Sequence, residues 1–595
     1  MARIPKKSRT WMSRLQSAHE SLSLTYNIIR LPCAYRFTTL FFIATPNILP
    51  NATANYTHMI LSQPHSQHVS DVAIVGAGPG GLAAALILAA SGASVDIYES
   101  QPAVGGRSRR LTLDGDEGQY HFDVGPTFFM MPYVLDEILA SAGSKLSERV
   151  ELQRLDPMYR LLLGRPDQAP ITLDTTQDLR LMEQRLSAIE PHDGPAFLKF
   201  ISDNRRKLQA MTPLLRSPIR SVLDLCSVDN MRAGTHLRPW QSLYEHLRGY
   251  FQNPHIRLAL SFQSKYLGMS PFECPELFSI LPFIEYEYGI WHPRGGCNAI
   301  MNAMREIAEE LGVRFHFNSP VDTIEFEGRQ AVGVRVNGAL HRHKHVVINA
   351  DAAAAMKRMI PESLRGAWSD QSIDRKKYSC STFMMYLGVD GEVELPHHTI
   401  YASRQYEQNL RDISSNGVLS EDPSMYVCNP SRLDDSMAPS GHSALYILVP
   451  TPNTQPGVNH VDWNSSSATL RERTLDQLET IFGVGDIRGR IRAEKHITPN
   501  DWAAEGIQYG ATFNLAHTLG QMLHKRPQHK MRGVEGTWFV GGGTHPGSGL
   551  PVIFLSSQIT ARLLCAELGL NCALDTPSTR HSGMLQPWTS PTVNI

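Results

Sequence analysis

Hydrophobic positions crowd most tightly between Asp71 and Arg107, in DVAIVGAGPGGLAAALILAASGASVDIYESQPAVGGR. Residues 72–75 form an unbroken apolar run of strand length, 82–90 an apolar, small-residue run of helix length, and 94–98 a second strand-like run. Farther on, the pattern predicts a strand over 120–124, a mostly helical stretch over 176–288, and an amphipathic helix over 298–311. That helix carries Ile300, Met301, Met304, Ile307, Ala308 and Leu311 on one face, with Gly312 as its stop. Strands follow over 313–317, 321–324, 331–336 and 345–349, and two β-rich runs, 378–387 and 443–449, predict a second, antiparallel sheet. A strand over 538–540 and a helix over 552–564 close the pattern. The order is that of an α/β protein: a parallel sheet flanked by helices, with an α+β unit inserted.

The turn between the first strand and helix holds Gly76, Gly78, Gly80 and Gly81, three of them in G-x-G-x-x-G spacing. Gly76 suits the tight turn, Gly78 lets backbone approach a pyrophosphate, and Gly81 lets helix and strand pack closely with the helix dipole facing the phosphates. Glu99 ends the second strand eighteen residues after Gly81, where a carboxylate accepts from ribose hydroxyls. A hydropathy window also reads 72–93 as a membrane span, but five glycines and a proline inside it argue against one. Gly125-Pro126-Thr127 follows a strand and presents bare backbone. Near the end, residues 541–551 (GGGTHPGSGLP) form a glycine turn opening a helix; Pro546 stands where a second nucleotide fingerprint needs its last glycine.

Length and charge narrow the picture. The 595 residues suggest two or three structural units, and a net charge of -1 gives no reason to expect nucleic acid as a partner. Eight cysteines are scattered without a C-x-x-C pair, as expected of reduced thiols in the cytoplasm rather than a zinc site or a disulfide frame. Residues 1–70 form a basic leader of transit-peptide-like composition, and a start at Met59 would leave most of it outside the native protein. Residues 571–595 read as a disordered tail. His341, His343 and His345 alternate along a strand and, like His397-His398, are expected on a solvated face; no metal site is expected.

Gly105-Gly106-Arg107 resembles the second glycine pair of the FAD-dependent amine oxidase and carotenoid desaturase superfamily, in which the glycines admit a flavin and the arginine offers its phosphates a fork. The likeness becomes specific in FDVGPTFFMMP, KYLGMSPFECP, YGIWHPRGGCNAI, YSCSTFMMYLG, DDSMAPSGHSALYILVP and GTHPGSGLPVIFLSSQITARLL. Together these resemble the bacterial carotenoid (phytoene and diapophytoene, or dehydrosqualene) desaturases over about 71–564. The resemblance implies a Rossmann-like FAD-binding domain of 71–175, 289–350 and 535–570, and a substrate and membrane-facing domain of 176–288 and 351–534. It also implies that the backbone of Val321 holds the adenine. Gly125, Pro126, Thr127, Gly542, Gly543 and Gly549 then lie against the flavin ring, where amine oxidases carry an acid in place of Gly542-Gly543. The implied activity is stepwise removal of hydrogen from an isoprenoid polyene, with quinone or oxygen taking up the electrons. His545 is the candidate proton acceptor or positioning group, and Glu273 and His292 stand as further candidates on the substrate side. Related carotenoid oxidases tend to carry Asn-Pro where His545-Pro546 stands, which favours desaturation; a carotenoid oxidase and a non-catalytic isoprenoid escort of the same fold are the alternatives. Because the implied substrate is a hydrocarbon that resides in a bilayer, a cytoplasmic protein resting on a membrane face, with no spanning segment, is expected.

Overall fold

The computed structural model describes residues 69–575, apart from 228–233, 235, 236 and 239. The expectations for Met59, for nearly all of the leader and for the tail beyond Asp575 lie outside the described residues.

β1 (Ser70–Val75) pairs in parallel with β2 (Val95–Tyr98), Val72 opposite Val95 and Ile74 opposite Ile97. On its other side it pairs in parallel with Ala339–Ile348. Arg314–His316 and Thr537–Phe539 extend the parallel run, while Val321–Glu327 and Gln330–Val336 attach in antiparallel fashion, giving seven strands. A parallel sheet is covered on both faces, so its strands read as continuous apolar runs, and Val72, Ala73 and Ile74 are fully buried.

α1 (Pro79–Ala90) lies against this sheet with Gly80–Leu88 all buried. It is apolar all round because α2 (Leu550–Leu568) and the helix Cys297–Glu310 cover its remaining faces. Helix Cys297–Glu310 shows the expected stripe: Ile300, Met301, Met304, Ile307 and Ala308 are buried and its charged residues face out. α2 is long and apolar enough to cross a membrane by length and composition. Here it packs on α1, on Pro132–Ser141 and on Asp193–Arg216, and its Ser557 hydroxyl donates to the Gly80 carbonyl at 2.8 Å.

The second sheet runs Ile491–Ile497, Ser381–Asp390, His442–Thr451, Met425–Cys428, His398–Ala402, Arg160–Arg165, Gln168–Asp174. Ser381–Asp390 and His442–Thr451 are antiparallel partners, with Tyr386 opposite Tyr446. A boundary at 175 would put the last two strands in the nucleotide-binding unit. Instead Arg160–Arg165 pairs with His398–Ala402, so 160–174 belongs to the second sheet. The tail expectation also needs correction at its start: Ala573–Asp575 is a helical turn with Ala573 and Leu574 buried, tied by the Ala573 amide to the Ser91 hydroxyl at 2.9 Å.

The histidine expectations hold in part. His341 is exposed, but His343 is buried, hydrogen-bonded to the Ser70 hydroxyl at 2.6 Å and the Tyr98 hydroxyl at 3.0 Å. His397 and His398 are buried as well. Both corrections have one cause: position along a strand tells which face a residue takes, not what covers that face. The seven cysteines among the described residues are all free thiols.

Candidate active site

A cavity of about 530 Å³ runs from the C-terminal ends of β1 and β2 to the second sheet. At its first end Gly76 has φ +96°, and a Cβ there would meet the Asn349 carbonyl oxygen at 2.7 Å. A Cβ on Gly81 would lie 2.3 Å from the Gly76 carbonyl oxygen, which is the close helix–strand approach the spacing predicts. Gly78 is the N-cap of α1 and supplies no side chain, so the first amides of the helix stay free for an anion beside the cavity lined by Gly76, Gly78 and Gly80.

Glu99, buried at the cavity wall, accepts from the Ala77 amide at 2.7 Å and the Gln101 amide at 2.8 Å. Its carboxylate therefore also fixes the glycine loop. Val321 lines the same end. Gly105 stands one layer back, its amide on the Ala77 carbonyl at 2.9 Å, while Gly106 faces the cavity.

The opposite wall is the glycine turn. Gly541, Gly542 and Gly549 line the cavity, and α2 begins at Gly549, again with no side-chain cap, so a second uncapped helix N-terminus points at the same space. Gly543 does not line it: a Cβ there would meet the Ala352 Cβ at 2.8 Å, so this glycine serves packing. Gly125, Pro126 and Thr127 line the cavity, with the Gly125 carbonyl accepting from the Tyr446 hydroxyl at 2.9 Å. Arg107 also lines it, but the expected phosphate fork is otherwise engaged: the guanidinium donates to the Thr512 carbonyl and to Asn514 Oδ1.

His545 is corrected. It is buried outside the cavity wall, its Nε2 is hydrogen-bonded to the Leu214 carbonyl at 3.1 Å, and burial pushes its pKa down to about 4. A turn rich in glycine brings backbone to a ligand, and its one large side chain is directed into the protein. Glu273 pairs with Lys377 at the surface, and His292 is buried against Asp434 at 2.9 Å; neither lines the cavity.

Several groups at the site carry no sequence pattern. Arg526 is fully buried and holds the Gly542 carbonyl at 3.0 Å and the Leu515 carbonyl at 3.2 Å. Burial lowers its pKa to about 10. Asp351 accepts from Asn514 and caps the helix Ala352–Met359 through the Ala354 amide. At the far end, Thr127 meets the Tyr426 hydroxyl at 2.7 Å, and Tyr426 meets His398 Nδ1 at 2.7 Å.

His397, His398 and Cys428 bring three potential metal-ligand atoms within 4.8 Å of one another. The far nitrogens of both imidazoles have no hydrogen-bond partner and burial raises the thiol pKa, the opposite of how ligating groups are held. Glu285, fully buried, accepts from Tyr159 at 2.8 Å, Tyr266 at 2.7 Å and Gln263 at 3.0 Å, and desolvation lifts its pKa to about 7. Lys265 and Tyr266, neighbours on the turn Phe262–Leu267, line the cavity.

Two glycine-lined helix starts facing one long cavity, with a carboxylate at the adjoining strand end, fit a dinucleotide carrying a large ring. The comparisons with known proteins agree. The model of the flavin containing amine oxidoreductases matches residues 79–565. A 4,4'-diapophytoene desaturase (4,4'-diapolycopene-forming) of Methylomonas sp is 40% identical over 83% of this chain and 94% of its own length. An all-trans-zeta-carotene desaturase of Myxococcus xanthus is 39% identical over 84% and 94%. Among solved structures, cyclohexylamine oxidase from Brevibacterium oxydans aligns with a TM-score of 0.51 at 16% identity, over 84% of this chain and 100% of that one, which speaks for the fold. The cofactor is FAD, and the chain belongs to the flavin containing amine oxidoreductases and, within them, to the carotenoid desaturases.

Proposed function

We propose that this protein removes hydrogen from successive saturated links of a long acyclic isoprenoid, diapophytoene or phytoene, with FAD as oxidant, in carotenoid biosynthesis. The observation that carries the reading is the continuity of one cavity from the dinucleotide cradle, past the glycine turn, to a wall of Phe262, Ile400, Tyr406 and Leu448. A hydrocarbon offers no hydrogen bonds, so such a wall recognises it by shape and excludes water.

In this reading the free amides of α1 bind the pyrophosphate, with Gly76, Gly78, Gly80 and Gly81 forming the loop. Glu99 takes the ribose, Val321 the adenine, and Gly105 and Gly106 let the flavin approach. Gly125, Pro126, Thr127, Gly542 and Gly549 lie against the ring, and the start of α2 favours the negative charge that accumulates there on reduction. Bound FAD supplies the two-electron oxidation. The chain's own work is to align the polyene and keep water out, since the developing cation is spread along the conjugated chain.

The substrate's residence in a bilayer places the enzyme on a membrane face. Val222, Leu223 and Trp240, among the most exposed large apolar side chains, sit on the stretch that follows the helix Asp193–Arg216 and suit that contact. Quinone or oxygen reoxidises the flavin.

Expression beside a dehydrosqualene or phytoene synthase tests the reading: it expects carotenoids with lengthened chromophores. Oxygen in the product would assign an oxidase instead, and a purified protein without flavin would assign an escort.

A further inference from the structure

Lys265 is a lysine inside a substrate cavity without a counter-ion. Its side chain lines the cavity on the turn Phe262–Leu267, and among the described residues no carboxylate lies within ion-pair distance of its Nζ. Elsewhere the fold gives a buried lysine an acid partner: Lys207 is held by Glu276 at 2.5 Å and the Ser279 hydroxyl at 2.8 Å. Lys265 has no such pair.

The titratable group within electrostatic reach of Lys265 is a thiol rather than a carboxylate. Cys380, which precedes the strand Ser381–Asp390, is within electrostatic reach of Lys265 and of Tyr406, and burial raises the pKa of that thiol and of both Tyr406 and Tyr266. Glu285 is already bound by Tyr159, Gln263 and Tyr266. Burial lowers the lysine pKa, with Cys380 acting in the other direction, which shifts the amine toward its neutral form.

The turn also lies close to the flavin cradle. The Gly268 carbonyl accepts from the Cys380 amide at 3.2 Å, and a Cβ on Gly268 would touch the Phe513 ring at 2.6 Å. The Phe513 carbonyl accepts from Ser548, whose hydroxyl also reaches the Gly542 carbonyl at 3.3 Å.

We propose that Lys265 is the proton acceptor of the desaturation step. The inference rests on the desaturase reading. Each new double bond needs two hydrogens removed from adjacent carbons. One C–H bond leaves with its electron pair to the flavin. The neighbouring C–H bond gives its electron pair to the new C=C bond and its proton to Lys265 Nζ, and the positive charge on nitrogen is matched by the electron pair delivered to the flavin. A neutral amine facing an apolar chain is suited to this, and a charged one is not.

Two measurements test it. The first is 13Cε-lysine NMR of the flavin-free protein, with the Lys265 resonance assigned by its loss in Lys265→Met. It is expected to titrate well below the ~10.4 of a free lysine. The second is anaerobic reduction of bound flavin by the polyene in a single turnover, followed against pH. In the unsubstituted protein the rate rises with pH, passes through half its maximum at the NMR midpoint and levels off above it. Lys265→Met and Lys265→Arg, the latter unable to give up its proton, retain flavin and bind polyene but react on the order of 10²-fold more slowly, with that pH dependence gone.

An ordinary lysine titration overturns the proposal. So does a Lys265→Met protein that reacts within a few-fold of the original or keeps the pH profile, and so does loss of flavin from both variants, which would make the lysine structural. An unsubstituted protein whose flavin no polyene reduces would sink the desaturase reading itself, while the NMR titration would still report the state of the amine.

Discussion

Gly81 is the tightest single point of the cofactor cradle, because the atom a side chain would strike there is a backbone oxygen, which cannot swing away. Gly81→Ala is therefore expected to destabilise the protein by about 1–3 kcal/mol and to lower its flavin content, read as a fall in melting temperature and in yellow absorbance. Glu99→Ala removes the acceptor of the Ala77 and Gln101 amides together with the ribose partner, and is expected to yield colourless protein. Glu285 gives a pH signature. Desolvation raises its pKa from 4.5 to about 7 in the fold, so its contribution is fully present below the unfolded value and is lost as pH rises through 7. The span corresponds to roughly 3 kcal/mol. Glu285→Gln should flatten the dependence of melting temperature on pH between those two values; an unchanged slope would contradict a raised pKa. Gly81 and Glu99 were legible because spacing within thirty residues fixes their geometry. Glu285 was not: Gln263 and Tyr266 stand 22 and 19 residues before it without forming a recognisable spacing, and Tyr159 lies 126 residues away. His545 misled for a related reason: a position inside a signature does not say which way the side chain points.

At the scale of elements, the site depends on how α1 crosses α2, since each contributes an uncapped N-terminus to one cavity. The Ser557–Gly80 hydrogen bond and the small residues along α1 set that crossing. Ser557→Ala is expected to cost about 1 kcal/mol with flavin retained. Ser557→Leu should push the helices apart and release flavin, and equal flavin content in the two variants would show that the crossing does not position the site. Most of these elements were readable in advance, because an apolar run, a 3.6-residue stripe and a glycine stop are local properties of the chain. The placement of 160–174 was not. Those strands find their partner in His398–Ala402, more than two hundred residues on, and strand pairing at that distance leaves no periodic trace.

At the scale of the whole molecule, the proposed function has a hydrocarbon substrate and a protein with charged surfaces meet at a bilayer surface. Moving the substrate from lipid into the cavity gains little of the hydrophobic free energy available on leaving water, which on that proposal brings the protein to the lipid. Leu223 and Trp240, each 80% exposed, are the most exposed large apolar side chains among the described residues and are the ones this proposal sends into it. Partial burial of such a side chain contributes about 1–2 kcal/mol, so replacing both with glutamate should weaken partition onto vesicles by about thirty- to a thousand-fold. Because neither residue lines the cavity, the doubly substituted protein should keep its flavin and its melting temperature. Its rate should fall when the polyene is presented in vesicles and stay at the original level when the polyene is delivered in detergent micelles. Equal loss with both forms of delivery would mean that the substitutions damage the catalytic unit, and unchanged vesicle binding would place the membrane contact elsewhere on the protein.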